Sequence, residues 1–249
     1  GIAGLEAAII LKKRGHNPIL CEATDTLGGQ FLTAGEAPRK KEMKAAAISM
    51  AKKAERLGVD IHMNTKVTPE MIEEIKPHTV MNAIGAESII PPIPGVDKAF
   101  VKDSHDVLDG KAEATGNVVV IGGGMVGMET AEYLAEKGAK VSVLEMLPDI
   151  CSDMGTTRKI CMGEEIQKSG IIPVTSVKVT EIGDNVVIGE KDGEKVEFPC
   201  DTAVLAIGAK KRDGSALAET CYKNGIGYFE IGDAAMARRA INATREAMD

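Results

Sequence analysis

The chain has 249 residues, room for two domains of about a hundred residues each. Hydrophobic residues make up 44% and charged residues 27%, the balance of an ordinary globular protein, while 3% aromatics leave the core to Ile, Val, Leu, Ala and Met. A net charge of -7 gives no electrostatic case for binding nucleic acid or an anionic membrane surface. The longest apolar runs are broken by glycines and fall short of a spanning helix, and no signal peptide is visible.

In chain order, "GIAGLEAAIILKKRGHNPILCE" (1–22) reads as an amphipathic helix, a glycine stop at Gly15 and a short apolar strand ending in an acid. "TLGGQF" then supplies a glycine pair, and "RKKEMKAAAISMAKKAERLG" a helix of alanines and charges that stops at Gly58. "VDIHMN" reads as a short strand and "HTVMNAIGA" as a buried strand closed by a glycine turn. The prolines of "IIPPIPGVD" forbid regular structure, which marks a domain-crossing segment.

"NVVVIGGGMVGMETAEYLAEKGAKVSVLE" follows as strand, turn, helix and strand. A helix is expected near Gly155–Ser169. Three β-rich runs come next, the last two joined by a "KDG" hairpin turn. "DTAVLAIGA" closes this part much as "HTVMNAIGA" closed the first. "GYFEIGDAA" is a strand and turn, and a last helix is expected from about Ala237 to Met248.

An internal repeat organises these elements. Residues 1–22 align without gaps on residues 124–145, so that Gly1, Gly4, Gly15 and Glu22 recur as Gly124, Gly127, Gly138 and Glu145. Two copies imply two related units, and the alternation of strands and helices implies parallel sheets of the doubly wound α/β class. The second copy is complete: Gly122-x-Gly124-x-x-Gly127 follows a strand and opens a helix. In that pattern the first glycine permits a tight turn and the second lets the backbone approach a pyrophosphate. The third lets helix and strand pack closely.

Glu145 lies 18 residues beyond Gly127, at a strand end, where a carboxylate accepts hydrogen bonds from ribose hydroxyls. Such a carboxylate repels a 2′-phosphate, and "MLPDI" after it offers no cation, so NAD(H) is expected over NADP(H). By alignment, Gly1 and Gly4 stand for the second and third fingerprint glycines of the first copy. The strand and first glycine that should precede Gly1 are then expected upstream of it, with the first domain the weaker of the two and FAD poorly held or absent.

The order of fingerprint, Glu22, "GGQ", "AIGA", second fingerprint, "AIGA" and "IGDA" resembles the two-dinucleotide-domain flavoprotein reductases. That resemblance implies two Rossmann-like domains: a discontinuous FAD domain at 1–95 and 209–249, and an inserted NAD(H) domain at 96–208. It implies that Asp233, after Gly232, holds the ribityl chain of FAD. Glu22 would hold the adenosine ribose of FAD, and Glu129 would face the nicotinamide end. Gly28, Gly29 and Gln30 and the turn glycines Gly85 and Gly208 complete the cofactor-binding set.

Disulphide reductases of that superfamily need a redox cysteine pair. Cys21, Cys151, Cys161, Cys200 and Cys221 include no Cys-x-x-Cys, which disfavours a dithiol centre, a local metal site and a disulphide framework, and fits a reducing cytoplasm. "GGQFLTAGEAPRKKEM", "IPPIPGVD" and "RRAINATREAMD" are similar to the C-terminal half of NADH:flavin oxidoreductases of the 2,4-dienoyl-CoA and 2-enoate reductase group. The resemblance implies an N-terminal TIM-barrel partner domain of the same chain carrying FMN, linked through a 4Fe-4S cluster.

A freestanding FAD-dependent NADH oxidase or diaphorase shares every motif, and a non-catalytic redox sensor stays open as well, as does the oligomeric state, a homo-oligomer included. No metal ligand is assigned. No catalytic residue is assigned either, because hydride transfer to flavin needs no protein acid or base. "RKK" at 39–41 and "RR" at 238–239 read as solvated helix starts or faces.

Overall fold

The computed structural model describes residues 1–152 and 154–248; the side chains of residues 156–159 and 161, Cys161 among them, lie outside that description. The chain divides into two units. The first comprises Gly1–Gly35, Lys40–Glu87 and Ala209–Asp249, the second Glu36–Arg39 and Ser88–Gly208.

The first unit opens with α1 (Ile2–Lys13), β1 (Ile19–Cys21), α2 (Gln30–Ala34) and α3 (Lys41–Arg56). β2 (Asp60–His62), α4 (Pro69–Ile75), β3 (Thr79–Asn82) and β4 (Ala86–Ser88) follow. α4 is absent from the sequence reading, although Thr68 marks its start: its hydroxyl accepts the Met71 N–H ahead of Pro69. Helix α1 buries Leu5, Ala8 and Ile9 against Ala54 and Val59, and Ala3 and Ala7 against Ile231, Ala243 and Ala247. The small residues let the backbone of α1 come close to the later segments.

The second unit contains β5 (Val101–Asp103), α5 (Ser104–Leu108), β6 (Asn117–Ile121), α6 (Met125–Glu136) and β7 (Lys140–Leu144). Then come α7 (Thr156–Ser169), β8 (Ile172–Val174), β9 (Lys178–Ile182), β10 (Val186–Lys191), β11 (Glu194–Pro199) and β12 (Thr202–Leu205). Its sheet is wholly parallel in the order β5-β12-β6-β7-β8. Val118, Val120, Val141, Val143 and Val204 face Met128, Ala131 and Leu134 of α6. Val119, Ile121, Leu144, Ala203 and Leu205 face the residues Val177, Ile182, Val187 and Cys200. Both faces are thus covered, the condition that parallel sheets require. β9–β11 form an antiparallel meander whose β10–β11 hairpin turns through Asp192 (φ 54°) and Gly193 (φ 83°), the two left-handed positions a tight hairpin requires.

Back in the first unit, β13 (Ala209–Lys211), α8 (Ser215–Lys223), β14 (Gly227–Glu230), a 3₁₀ turn (Gly232–Ala234) and α9 (Ala240–Glu246) complete the chain. The expected last helix is shorter than its sequence pattern, because residues 235–239 form a connecting loop instead of a helical turn. β1 pairs with β2 and β3 with β14, each parallel, as separate two-stranded sheets. By the repeat, β1 and β3 correspond to β7 and β12, which flank β6 in the second unit.

One polar cluster of the second unit is worth a measurement. Nδ1 of His105 lies 3.1 Å from the Ser88 hydroxyl and 3.4 Å from Asp103, which also accepts the His105 N–H at 2.8 Å. Burial pushes Asp103 up, but hydrogen bonds from His105 and Ser88 outweigh it and bring the carboxyl down to about 2. The same carboxylate raises His105 against the opposing effect of burial. The stabilisation from His105 is therefore complete below about pH 6.5 and lost as pH rises through its higher folded value. That from Asp103 is complete above about pH 3.9 and lost as pH falls towards 2. The wild type should exceed the His105→Asn variant in Tm most near pH 5.5, by an amount worth about 1 kcal/mol, and the gap should close by pH 9 in thermal melts.

Candidate dinucleotide sites

In the second unit the turn after β6 is built by contacts that admit no side chain. A Cβ on Gly122, where φ is 109°, would stand 2.4 Å from the Ala206 carbonyl oxygen, and one on Gly127 1.9 Å from the Gly122 carbonyl oxygen. Gly124 differs: nothing lies within 4 Å of its would-be Cβ, so its face opens outward at the first turn of α6. That turn has no side-chain cap and no acidic residue, which leaves its N–H groups and helix dipole for an incoming anion.

Glu145, just past the end of β7, sends one carboxylate oxygen to the Gly123 N–H (2.7 Å) and the other to the Leu147 N–H (2.8 Å). It therefore ties the glycine turn to the loop after β7. Gly123 escaped the sequence reading; the run of three glycines was the available signal. A Cβ at Gly123 would stand 2.9 Å from the Glu145 Cβ. Glu129 lies on α6 and is buried. Gly208 takes a left-handed φ of 109°, and its carbonyl accepts the Ile89 N–H.

The first unit repeats this geometry. α1 starts at Gly1 without a side-chain cap or first-turn acid, and nothing lies within 4 Å of a Cβ on Gly1. Glu22 accepts the Thr24 N–H and hydroxyl on one oxygen, as Glu145 accepts Leu147, and its other oxygen lies 3.6 Å from the Gly1 nitrogen. A Cβ on Gly4 would make ordinary van der Waals contact with Ala83 and Leu20. The glycine pair closes on the helix start: Gly28 is buried with φ 132°, and a Cβ on Gly29 would stand 2.8 Å from the Gly1 Cα. Gln30 is exposed at the start of α2. Gly85 has φ 79°, and its carbonyl accepts the Arg212 N–H.

Gly232 packs against Ala3 of α1, and Asp233 beside it accepts the Arg238 N–H at 3.2 Å. Gly1, Gly29, Glu22 and the Gly232–Asp233 turn thus gather around the N-terminal end of α1. The second unit gathers Gly122, Gly124, Gly127 and Glu145 around the N-terminal end of α6. Both places combine glycines with helix N–H groups that no side chain caps, so each suits the pyrophosphate and ribose of a dinucleotide.

Both basic segments lie at helix starts, with Lys40 at the N-cap of α3 and Arg239 at that of α9, as their sequence suggests, but two of their arginines also meet carboxylates. Arg39, at a left-handed φ of 61°, bonds Glu132 at 2.7 Å and lies 3.1 Å from Glu165 and 3.7 Å from Glu136, all within the second unit. Burial raises the Glu132 carboxyl, and the Arg39 charge works against that rise. Arg238 pairs with Glu246. Neither arginine is simply a solvated face, because each has a carboxylate that sequence spacing does not reveal.

Among the described residues Cys21, Cys151, Cys200 and Cys221 are unbridged, and no cluster of His, Cys, Asp and Glu could hold a metal. Burial raises Cys21, Cys200 (to about 11) and Cys221, the opposite of an activated thiolate. No described helix is long and apolar enough to cross a membrane.

Two Rossmann-like units in one α/β chain, each offering a glycine turn and a strand-end acid, define a protein of the pyridine-nucleotide flavoprotein class. The chain matches the pyridine nucleotide-disulphide oxidoreductase family over residues 1–235 and belongs to it. It is 40% identical to an NADH oxidase of Thermoanaerobacter brockii over 98% of this chain and 38% of that one. It is 41% identical to a bilirubin reductase of Mediterraneibacter gnavus over 84% of this chain and 33% of that one. A solved 2-naphthoyl-CoA reductase superposes with a TM-score of 0.93 at 28% identity, covering all of this chain and 38% of the other. The chain thus spans well under half the length of these relatives.

Proposed function

We propose that the chain is the NADH-input module of a larger flavoprotein oxidoreductase. The second unit binds NADH through Gly122, Gly124, Gly127 and Glu145, with Glu129 towards the nicotinamide. The first binds FAD through Gly1, Gly4, Glu22, Gly28, Gly29, Gln30 and Asp233, with the Gly85 and Gly208 turns closing the two units. FAD, when bound, takes up a hydride and releases electrons singly. In this reading the electrons go on to an FMN and 4Fe-4S barrel domain that reduces an enoate or enoyl-CoA type substrate, in the cytoplasm. The chain's own residues position the coenzyme and exclude a 2′-phosphate.

The observation that carries the reading is the doubled site: two glycine turns, each open at one position, each paired with a strand-end carboxylate held by the N–H two residues on. The named NADH oxidase and the reductases among its relatives support it. Anaerobic titration of the FAD-loaded chain with NADH tests it. Stoichiometric bleaching of the flavin by NADH, with far slower bleaching by NADPH, is the expected result. An unchanged flavin spectrum would overturn the reading.

A further inference from the structure

The Gly232–Asp233 turn is held by groups far from it in sequence pattern. The Gly232 N–H donates to Glu246 Oε2 at 2.8 Å, and the other carboxylate oxygen of Glu246 takes the Arg238 guanidinium. Arg238 in turn gives its own N–H to Asp233 Oδ1 and its Nε–H to the Met236 carbonyl. The links close a ring: turn, last helix, loop 235–239, and back to the carboxylate of Asp233. Gly232 sits at φ 61°, and a Cβ there would stand 2.8 Å from Ala3 and 3.2 Å from Ala243, so the turn is also wedged between α1 and α9. With Oδ1 engaged by a backbone donor, Oδ2 of Asp233 has no partner among the described residues and is free to accept.

We propose that Glu246 and Arg238 are positioning residues for the flavin, holding the Gly232–Asp233 turn so that the Asp233 carboxylate meets a ribityl hydroxyl of FAD. The inference rests on the reading that the first unit binds FAD. Glu246 acts through Gly232 and Arg238, and through them on Asp233. A carboxylate suits that position because one oxygen must accept a neutral N–H while the other holds a guanidinium. Glutamine can do the first but not both.

A double-mutant cycle on the full chain, with FAD dissociation constants read from quenching of flavin fluorescence on the apoprotein, separates positioning from general destabilisation. Asp233→Asn and Glu246→Ala are each expected to weaken FAD at least about tenfold, and the double variant no more than Asp233→Asn alone, since both remove one interaction. Glu246→Gln should lie between wild type and Glu246→Ala, and it serves the cycle if the alanine variant does not fold. Additive losses, or Glu246 variants that bind FAD as tightly as wild type while Asp233→Asn does not, would overturn the proposal. If Asp233→Asn binds FAD as tightly as wild type, the assignment of Asp233 to FAD itself falls and the proposal with it.

Discussion

Alanine at Gly127 is expected to destabilise the second unit by about 3 kcal/mol, whereas alanine at Gly124 should change stability by no more than about 1 kcal/mol and weaken NADH at least about tenfold. The two glycines belong to one fingerprint and differ in what a methyl group would meet. At Gly127 it would stand 1.9 Å from the carbonyl oxygen of Gly122 and 3.4 Å from the Ala206 Cβ. The obstacle is backbone, so no rotamer relieves it; α6 and the turn must separate. The gain in helix propensity from glycine to alanine, about 1 kcal/mol, is too small to offset that.

At Gly124 the protein itself offers no obstacle, and its φ of -72° suits any L-residue. The methyl group would instead fill the space into which a pyrophosphate must come to reach the N–H groups of α6. Thermal unfolding of the two apoproteins, followed by NADH titration of Gly124→Ala, checks both halves. If Gly124→Ala binds NADH like wild type, the pyrophosphate does not lie on this turn.

The division between what was legible and what was not follows from the range of the interactions. The second-unit fold can be read because its signals are local: the continuous apolar run of β6, the glycines at fixed offsets and the Asp192–Gly193 hairpin each act within a few residues. The repeat carried the first unit by alignment, so Glu22 could be set beside Glu145 from sequence alone. α4 and α8 are harder to read, being short (7 and 9 residues) and without a long apolar period. What stayed hidden was contact at long separation. Arg39 meets Glu132 across 93 residues, and Ser88 meets His105 across 17. Glu246 accepts the Gly232 N–H across 14 residues, with the loop 235–239 between them. Polar side chains on an amphipathic helix look alike until tertiary structure supplies a donor.

Glu145→Ala is the second change with a large expected effect, and its sign differs for the two coenzymes. In wild type the carboxylate accepts from Gly123 and Leu147, and a hydrogen bond to a charged group contributes about 1.5–3 kcal/mol. Leu147 is exposed, and water replaces part of its loss, but Gly123 is buried and its N–H would be left without an acceptor, so a stability drop of about 2–3 kcal/mol is expected. Catalytic efficiency with NADH should fall, because the glycine turn loosens and the ribose hydroxyls lose their acceptor.

NADPH faces the opposite balance. Its 2′-phosphate would come within about 4 Å of the carboxylate, a repulsion of about 4 kcal/mol for unit charges at an effective dielectric constant of about 20. Removing the carboxylate abolishes that term and frees the Gly123 and Leu147 N–H groups, which donate to one anion in wild type, to donate to another. Repulsion outweighs the loosening of the turn for this coenzyme, so the ratio of kcat/KM for NADPH to that for NADH should rise at least about tenfold. Glu145→Gln, which keeps an acceptor but loses the charge, should raise the ratio less and retain more stability. Steady-state kinetics of the FAD-loaded protein with each coenzyme, alongside melts of the same preparations, decide the matter. An unchanged ratio in the alanine variant would mean that discrimination against the 2′-phosphate comes from the shape of the loop after β7 and not from the charge of Glu145.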